Sequence, residues 1–225
     1  LNLVEMHIES GVKPSRMGFV SFTRKATVEA KDRAIKRFGF SEDELRYFRT
    51  LHSLSFRQLG LSTSQVMQRE HFRDIGEILG LEMSGFQSVD EGSIYGMQTG
   101  DRLLFLEGLA RVRMMPLRKL WEEVNDDNVD WWELERLHRT IVKYKHANGL
   151  IDYTDMLQRF ANEVVMPDLD VLFVDEAQDL SPLQWQIVER MAARSKTTYI
   201  AGDDDQAIFK WSGADVDYFV KLDGK

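Results

Sequence analysis

Apolar positions near the two ends of the chain fall in short unbroken runs, whereas those in the middle recur every three or four residues. Met17-Gly18-Phe19-Val20-Ser21-Phe22 has the length and continuity of a buried strand, and Ala26 to Phe38 follows as a helix that stops at Gly39. Ser41 with Glu44 three residues on has the spacing of a capping box and predicts a short helix. Tyr47-Phe48-Arg49-Thr50 reads as another strand, running into Leu51-His52-Ser53. Towards the other end, Asp170-Val171-Leu172-Phe173-Val174 is almost wholly apolar, as in a central strand covered on both faces. Ser181, Pro182 and Gln184 then supply a cap, a first-turn proline and a return partner for a helix to about Arg194. Thr197 to Ala201 forms the next strand, and strand, helix, strand in this order predicts a right-handed parallel unit.

From about residue 62 to 145 no central strand is legible. Trp131, Leu134, Leu137, Ile141 and Tyr144 share one helical face behind a cap at Asp130 and Glu133, and Gly149 ends that run. Segments 65–79 and 101–122 also have helical spacing, while 82–100 is rich in Gly, Ser and acids and reads as loop. The fold class is therefore α/β: a parallel sheet contributed by residues 1–61 and 146–225, interrupted by a mostly α-helical inserted subdomain at 62–145.

Composition narrows the function classes. With 43% hydrophobic and 11% aromatic residues among 225, the chain can bury a core. Its net charge of −8 argues against a surface that coats nucleic acid all round, though not against a narrow basic or aromatic track. There is no cysteine, hence no disulfide framework and no thiolate metal site. No stretch approaches a membrane span or opens as a signal peptide, which suits a cytoplasmic protein with no membrane partner.

The chemistry concentrates at the strand ends. The apolar run to Val174 delivers two adjacent carboxylates, Asp175 and Glu176, at the end of a sheet where ligands bind, with Asp179 one turn on. Alone, such a pair can simply cap the next helix. The second strand also ends in glycine and acids, Gly202-Asp203-Asp204-Asp205-Gln206, so several like charges share one edge. That crowding costs stability unless a cation or hydrogen-bond donors offset it, and a metal–nucleotide site accounts for it most simply.

Taken together, these segments resemble the UvrD/Rep-type superfamily 1 DNA helicases, in that family's order and over essentially the whole chain. Phe19-Val20-Ser21-Phe22-Thr23-Arg24-Lys25-Ala26 is similar to motif Ia, and Thr50-Leu51-His52-Ser53 to motif Ib. Residues 149–157 resemble the return from the inserted domain, Asp175-Glu176-Ala177-Gln178-Asp179 resembles motif II, and 202–214 resembles motif III. The resemblance implies an incomplete RecA-like P-loop NTPase sheet whose parent couples ATP hydrolysis to movement on single-stranded DNA or single/double-strand junctions.

Site roles follow from the same resemblance. Asp175 and Glu176 would hold the Mg²⁺ of MgATP, with Glu176 also activating the water. Gln206 with Asp203 would sense the γ-phosphate, and Asp179 would support the nucleotide site. Phe22, Thr23, Arg24, Thr50, His52, Ser53, Lys210 and Trp211 would line the DNA track, Trp211 stacking on a base. Core packing is the alternative for Phe22, and a satisfied structural histidine the alternative for His52. Arg111, Arg113, Arg118 and Lys119 form either a solvated helix face or a DNA-facing patch.

Two departures qualify the resemblance. Ser212 stands where the family has arginine, and no G-x-x-x-x-G-K-[ST] occurs in the 225 residues. The opening residues read as the helix that would follow such a loop, and the second motor domain with its arginine fingers is not among these residues. The expectation is therefore weak ATP binding and no turnover by this chain alone. The alternative is a nucleotide-free, helicase-like scaffold that binds DNA or a protein.

Overall fold

The apolar runs become four parallel strands in the computed structural model, which describes residues 2–84, 98–207 and 213–222. Contacts divide the chain into two units, one formed by Leu1–Gly60 with Leu157–Lys225 and the other by Leu61–Met156. Residues 146–156 thus group with the helical unit.

In the first unit, helix α1 (Asn2–Glu9) precedes β1 (Met17–Ser21), α2 (Arg24–Phe38), β2 (Phe48–Thr50) and α3 (Leu51–Gln58). The chain returns to it through β3 (Leu169–Asp175), α9 (Pro182–Ala192), β4 (Ser195–Ile200) and a short α10 (Val216–Val220). The sheet order is β2-β1-β3-β4, all pairs parallel. β3 is central, and its alternation sends Leu172 and Val174 into one core cluster and Val171 and Phe173 into another on the opposite face. That two-sided burial is why its sequence is a continuous apolar run rather than an alternating one. The first cluster also holds Phe160, Trp185, Ile187 and Met191, each worth roughly 1.5–3 kcal/mol of transfer free energy when fully buried. The edge strand β4 is only half-buried along its length.

Register decides what the sheet presents at its carboxyl edge. Ser21 pairs with Thr50 on one side and with Asp175 on the other, so β1, β2 and β3 end level. Helices leave at once from two of these ends. Thr23 caps α2 by accepting from the Ala26 amide at 3.2 Å, and Thr50 caps α3 by accepting from the Ser53 amide at 3.2 Å.

Two local expectations are corrected here. Leu51-His52-Ser53 opens a helix rather than prolonging a strand, because Thr50 both ends β2 and caps α3. The Ser41–Glu44 hydrogen bonds do form, with the Ser41 amide donating to the Glu44 carboxylate at 2.9 Å, but residues 42–47 make only turns before β2.

In the second unit, α4 (Arg69–Leu79), α5 (Thr99–Val112), α6 (Leu117–Val124) and α7 (Trp131–Asn148) surround one core that includes Phe72, Ile75, Leu103, Leu120, Leu134, Leu137 and Ile141. The predicted 101–122 helix is broken at Met114, whose φ is +53°, and at Pro116. α7 starts and stops as its caps dictate: Asp130 accepts from the Trp132 and Glu133 amides, and Gly149 takes φ +63°. Helix α8 (Tyr153–Glu163) begins in this unit and continues into the first.

This unit contains a buried ion cluster. Arg111 donates to both carboxylate oxygens of Asp152, at 2.6 and 3.1 Å, and also pairs with Asp155 and Glu107. Lys145 reaches Asp152 and Asp155, each at 2.7 Å. Burial opposes the charge of Asp152, but Arg111 and Lys145 outweigh it and hold the carboxyl down at about 2. Arg111 is therefore neither a solvated helix residue nor part of an exposed basic patch, because its side chain is largely buried against Asp152 and Asp155, 41 and 44 residues on, as well as Glu107 on its own helix. Arg118 lies over the rings of Trp121 and Trp131, 4.9 and 4.7 Å from their centroids, and is exposed beside Glu122. Among the described residues no helix is long and apolar enough to cross a membrane.

Candidate functional site

The turn after β3 is built from strained and crowded groups. Asp175 ends the strand half-buried, and Glu176 adopts φ +53°, the left-handed region that a side chain with a Cβ rarely enters. A single 3₁₀ turn, Ala177–Asp179, follows, and Ala177, Gln178 and Asp179 are all buried. Backbone bonds stitch this turn to the strand beside it: the Ala201 amide donates to the Val174 carbonyl at 2.8 Å and the Ala177 amide to the Ala201 carbonyl at 3.0 Å.

Electrostatics mark the same place. Burial, and then the neighbouring Glu176 charge, raise the Asp175 carboxyl above its usual range. The same two causes push Asp179 up to about 6, and its Oδ1 is buried without a hydrogen-bond partner among the described residues. Two carboxyls whose ionisation is opposed by burial and by the Glu176 charge form, with Glu176, a site poised for a cation or for hydrogen-bond donors.

Among the described residues no three His, Cys, Asp or Glu side chains group as a ready metal cage. Mg²⁺ does not require one, because it keeps several waters and takes one or two carboxylates together with phosphate oxygens. Asp175 and Glu176 provide oxygen donors of that kind, and the residues present fit such a cation.

Beyond β4, Asp203 caps the turn Asp204–Gln206 by accepting from the Asp205 amide at 3.1 Å, and the Gln206 carboxamide donates to the other Asp203 oxygen. Asp203 and Gln206 are exposed. Their connection to Glu176 runs through a residue that the sequence did not single out. Gln178 is 1% exposed; its Nε2 donates to Glu176 at 2.8 Å, and its Oε1 accepts from the Asp203 amide at 3.0 Å. Hydrogen bonds thus join Glu176, Gln178, Asp203 and Gln206 in one chain. The available sequence signal was its place inside the run Asp175-Glu176-Ala177-Gln178-Asp179, in which only the acids drew a role.

The residues expected on the DNA track lie on the same edge, at the ends of β1 and β2. Phe22 and Thr23 are half-buried just past β1, and Arg24 is exposed at the start of α2. The Thr23 and Thr50 hydroxyls serve as helix caps, and the Ser53 hydroxyl accepts from Arg49 at 3.2 Å. Burial pushes the His52 imidazole down to about 4, so it is neutral at pH 7. Lys210 and Trp211, with Ser212, lie outside the described residues.

Comparison with known proteins identifies the family. The family model described as the UvrD/REP helicase N-terminal domain matches residues 1–225. The chain is 25% identical over 231 residues to the putative ATP-dependent DNA helicase YjcD of Bacillus subtilis, covering 93% of this chain and 28% of that protein. It is 21% identical over 226 residues to the ATP-dependent DNA helicase PcrA of Staphylococcus aureus, covering 96% of this chain and 30% of that protein. An 87-residue stretch, 34% of this chain, is 31% identical to the RecBCD enzyme subunit RecB of Mycolicibacterium smegmatis, where it makes up 8% of that protein. The chain spans less than a third of the length of these relatives. It belongs to the UvrD/REP helicase N-terminal domain family.

Proposed function

We propose that this chain is the part of an ATP-driven DNA motor that holds the hydrolytic water and one stretch of the single-stranded DNA path, within a parent that moves along single strands or single/double-strand junctions. The observation that carries the reading is the level ending of β1, β2 and β3, which sets Ser21, Thr50 and Asp175 in register on one edge. Acids for the nucleotide and residues for the polynucleotide then share a rim, as coupling requires.

Asp175 would hold Mg²⁺ with Glu176 beside it as a further oxygen donor, and Glu176 would orient and deprotonate the attacking water. When bound, Mg²⁺ supplies charge neutralisation for the phosphates. Gln206, oriented by Asp203, would sense the γ-phosphate, and Asp179 would support the nucleotide site from within the acidic turn. Phe22, Thr23, Arg24, Thr50, His52 and Ser53 line the DNA path together with Lys210 and Trp211. A neutral His52 serves there as a hydrogen-bond donor rather than a counter-charge, and Thr23 and Thr50 fix the starts of α2 and α3.

This chain alone binds MgATP weakly and does not turn it over, since its 225 residues include no phosphate-cradling G-x-x-x-x-G-K-[ST] loop. Arginine-finger contributions alone are worth about 10³–10⁵ in rate.

The test is single-strand-DNA-stimulated ATPase of the full-length protein against Glu176→Gln. Turnover is lost while MgATP and DNA binding persist. Unchanged turnover removes Glu176 from the mechanism, and a full-length wild-type protein with no ATPase favours the nucleotide-free scaffold.

A further inference from the structure

Gln178 occupies an unusual position for a polar side chain. It is buried to 1% exposure in a turn between two strands, yet both ends of its carboxamide are used. The Nε2 group donates to the Glu176 carboxylate, and Oε1 accepts from the backbone amide of Asp203, 25 residues further on. The first bond stays within the acidic turn, and the second crosses to the turn beyond β4.

Gly202 shows how closely the turn is fitted. A Cβ there would come within 2.5 Å of Gln178 Oε1, 2.8 Å of Phe219 Cζ and 3.1 Å of the Gln178 amide nitrogen. Only a residue without a side chain lets the Asp203 amide approach the carboxamide. Glu176, for its part, sits at φ +53° with one carboxylate oxygen held by Gln178. A residue in that backbone region needs its surroundings to define it, and the Gln178 bond is one side-chain contact that does so, beside the Asp175 carboxylate on the Glu176 amide.

From these contacts we infer that Gln178 is a positioning residue that couples the Asp203–Gln206 turn to the carboxylate of Glu176. The inference rests on the functional reading above. A displacement of the turn when Gln206 engages a phosphate moves the Asp203 amide, and the buried carboxamide, held at both ends, passes that displacement to Glu176. Asparagine is one methylene too short to span both partners, and glutamate keeps the acceptor for Asp203 but loses the donor to Glu176.

Two measurements separate coupling from mere support. Hydrogen exchange on this 225-residue chain reads the Asp203 amide: Gln178→Ala accelerates its exchange by roughly tenfold or more, whereas Gln178→Glu leaves it protected. Steady-state ATPase of the full-length protein reads Glu176: both variants lower kcat by roughly ten- to hundredfold with KM for MgATP little changed, as expected for loss of a hydrogen bond to a charged group. Stimulation by single-stranded DNA falls with kcat. A Gln178→Ala protein with wild-type kcat and DNA stimulation overturns the inference. Equal loss of Asp203 protection in both variants also overturns it, because that marks a collapsed turn. A wild-type protein without DNA-stimulated ATPase sinks the functional reading and the coupling with it, while the exchange pattern still tells whether Gln178 pins the turn.

Discussion

Replacing Asp152 by asparagine tests whether the ion cluster of the helical unit works as its geometry indicates. Asp152 is 2% exposed and receives Arg111 on both oxygens and Lys145 on one. The Asp155 amide adds a fourth donor at 2.7 Å. Asparagine keeps the shape but turns an amide donor towards two cations, and breaking one partner of a buried ion pair costs about 3–5 kcal/mol. Asp155 and Glu107 remain beside Arg111, so the lower end of that range applies.

The pH dependence is the sharper part. Asp152 is held at about 2 when folded against an ordinary 3.8. Its contribution, roughly 2–3 kcal/mol, is fully present above about pH 4 and is lost as pH falls towards 2. Between pH 7 and pH 3 about 1 kcal/mol of it disappears. Hydrogen exchange of amides in α5 and α7 reads the opening free energy of this unit alone. The gap between wild type and Asp152→Asn therefore narrows by about 1 kcal/mol from pH 7 to pH 3. A gap below about 0.5 kcal/mol at pH 7, the range of ordinary surface substitutions, refutes the role assigned to the cluster. A gap that does not change with pH refutes the depressed carboxyl.

Other substitutions probe other parts of the fold. Gly202→Ala forces its Cβ against the Gln178 carboxamide and Phe219, so thermal unfolding of the chain moves to lower temperature; an unchanged midpoint would contradict the close approach. Phe160→Ala, at a site with no exposed surface, lowers the stability of the sheet unit by about 3–5 kcal/mol in urea unfolding. Asp130→Ala removes the α7 cap and costs about 1 kcal/mol, visible as faster exchange in the first turn of that helix.

What the sequence revealed, and what it hid, follows from how far each interaction reaches along the chain. The strands at 17–21 and 169–175 were legible because two-sided burial writes itself into consecutive apolar residues. The acids at the end of the second run were legible because they interrupt it abruptly. Helix α3 was hidden by Thr50, which suits a strand and a cap equally, and the local pattern does not say which use comes first. Arg111 looked like one of several surface cations because its partner Asp152 lies 41 residues away. Gln178 was hidden for the same reason: a contact with a backbone amide leaves no mark on the residue that supplies the amide. Periodicity and caps describe what an element does with its neighbours in sequence, and the coupling within this site is built from contacts that skip over whole elements.

Glu176 carries the last consequence, because the features that suit it for chemistry also make it a burden on stability. Its φ of +53° favours glycine, and its charge opposes the ionisation of both Asp175 and Asp179. A carboxyl raised on folding stabilises the protein only while it stays protonated. Asp179, at about 6 when folded, therefore contributes stability below about pH 4 that is lost as pH rises through 6. Glu176→Gln removes the opposing charge, so the decline in stability between pH 4 and pH 7 becomes shallower in metal-free buffer. Glu176→Gly removes the strained backbone as well, but it leaves the buried Gln178 carboxamide without its acceptor, a cost of about 1–3 kcal/mol that offsets the gain, so Glu176→Gln is the cleaner comparison. Urea unfolding across that pH range compares the three proteins. If Glu176→Gln is less stable than wild type at pH 7, Glu176 is a structural residue and its charge is no burden on the turn. If Glu176→Gln is more stable while the full-length protein loses turnover, the turn keeps a costly crowding of charge that only its chemistry explains.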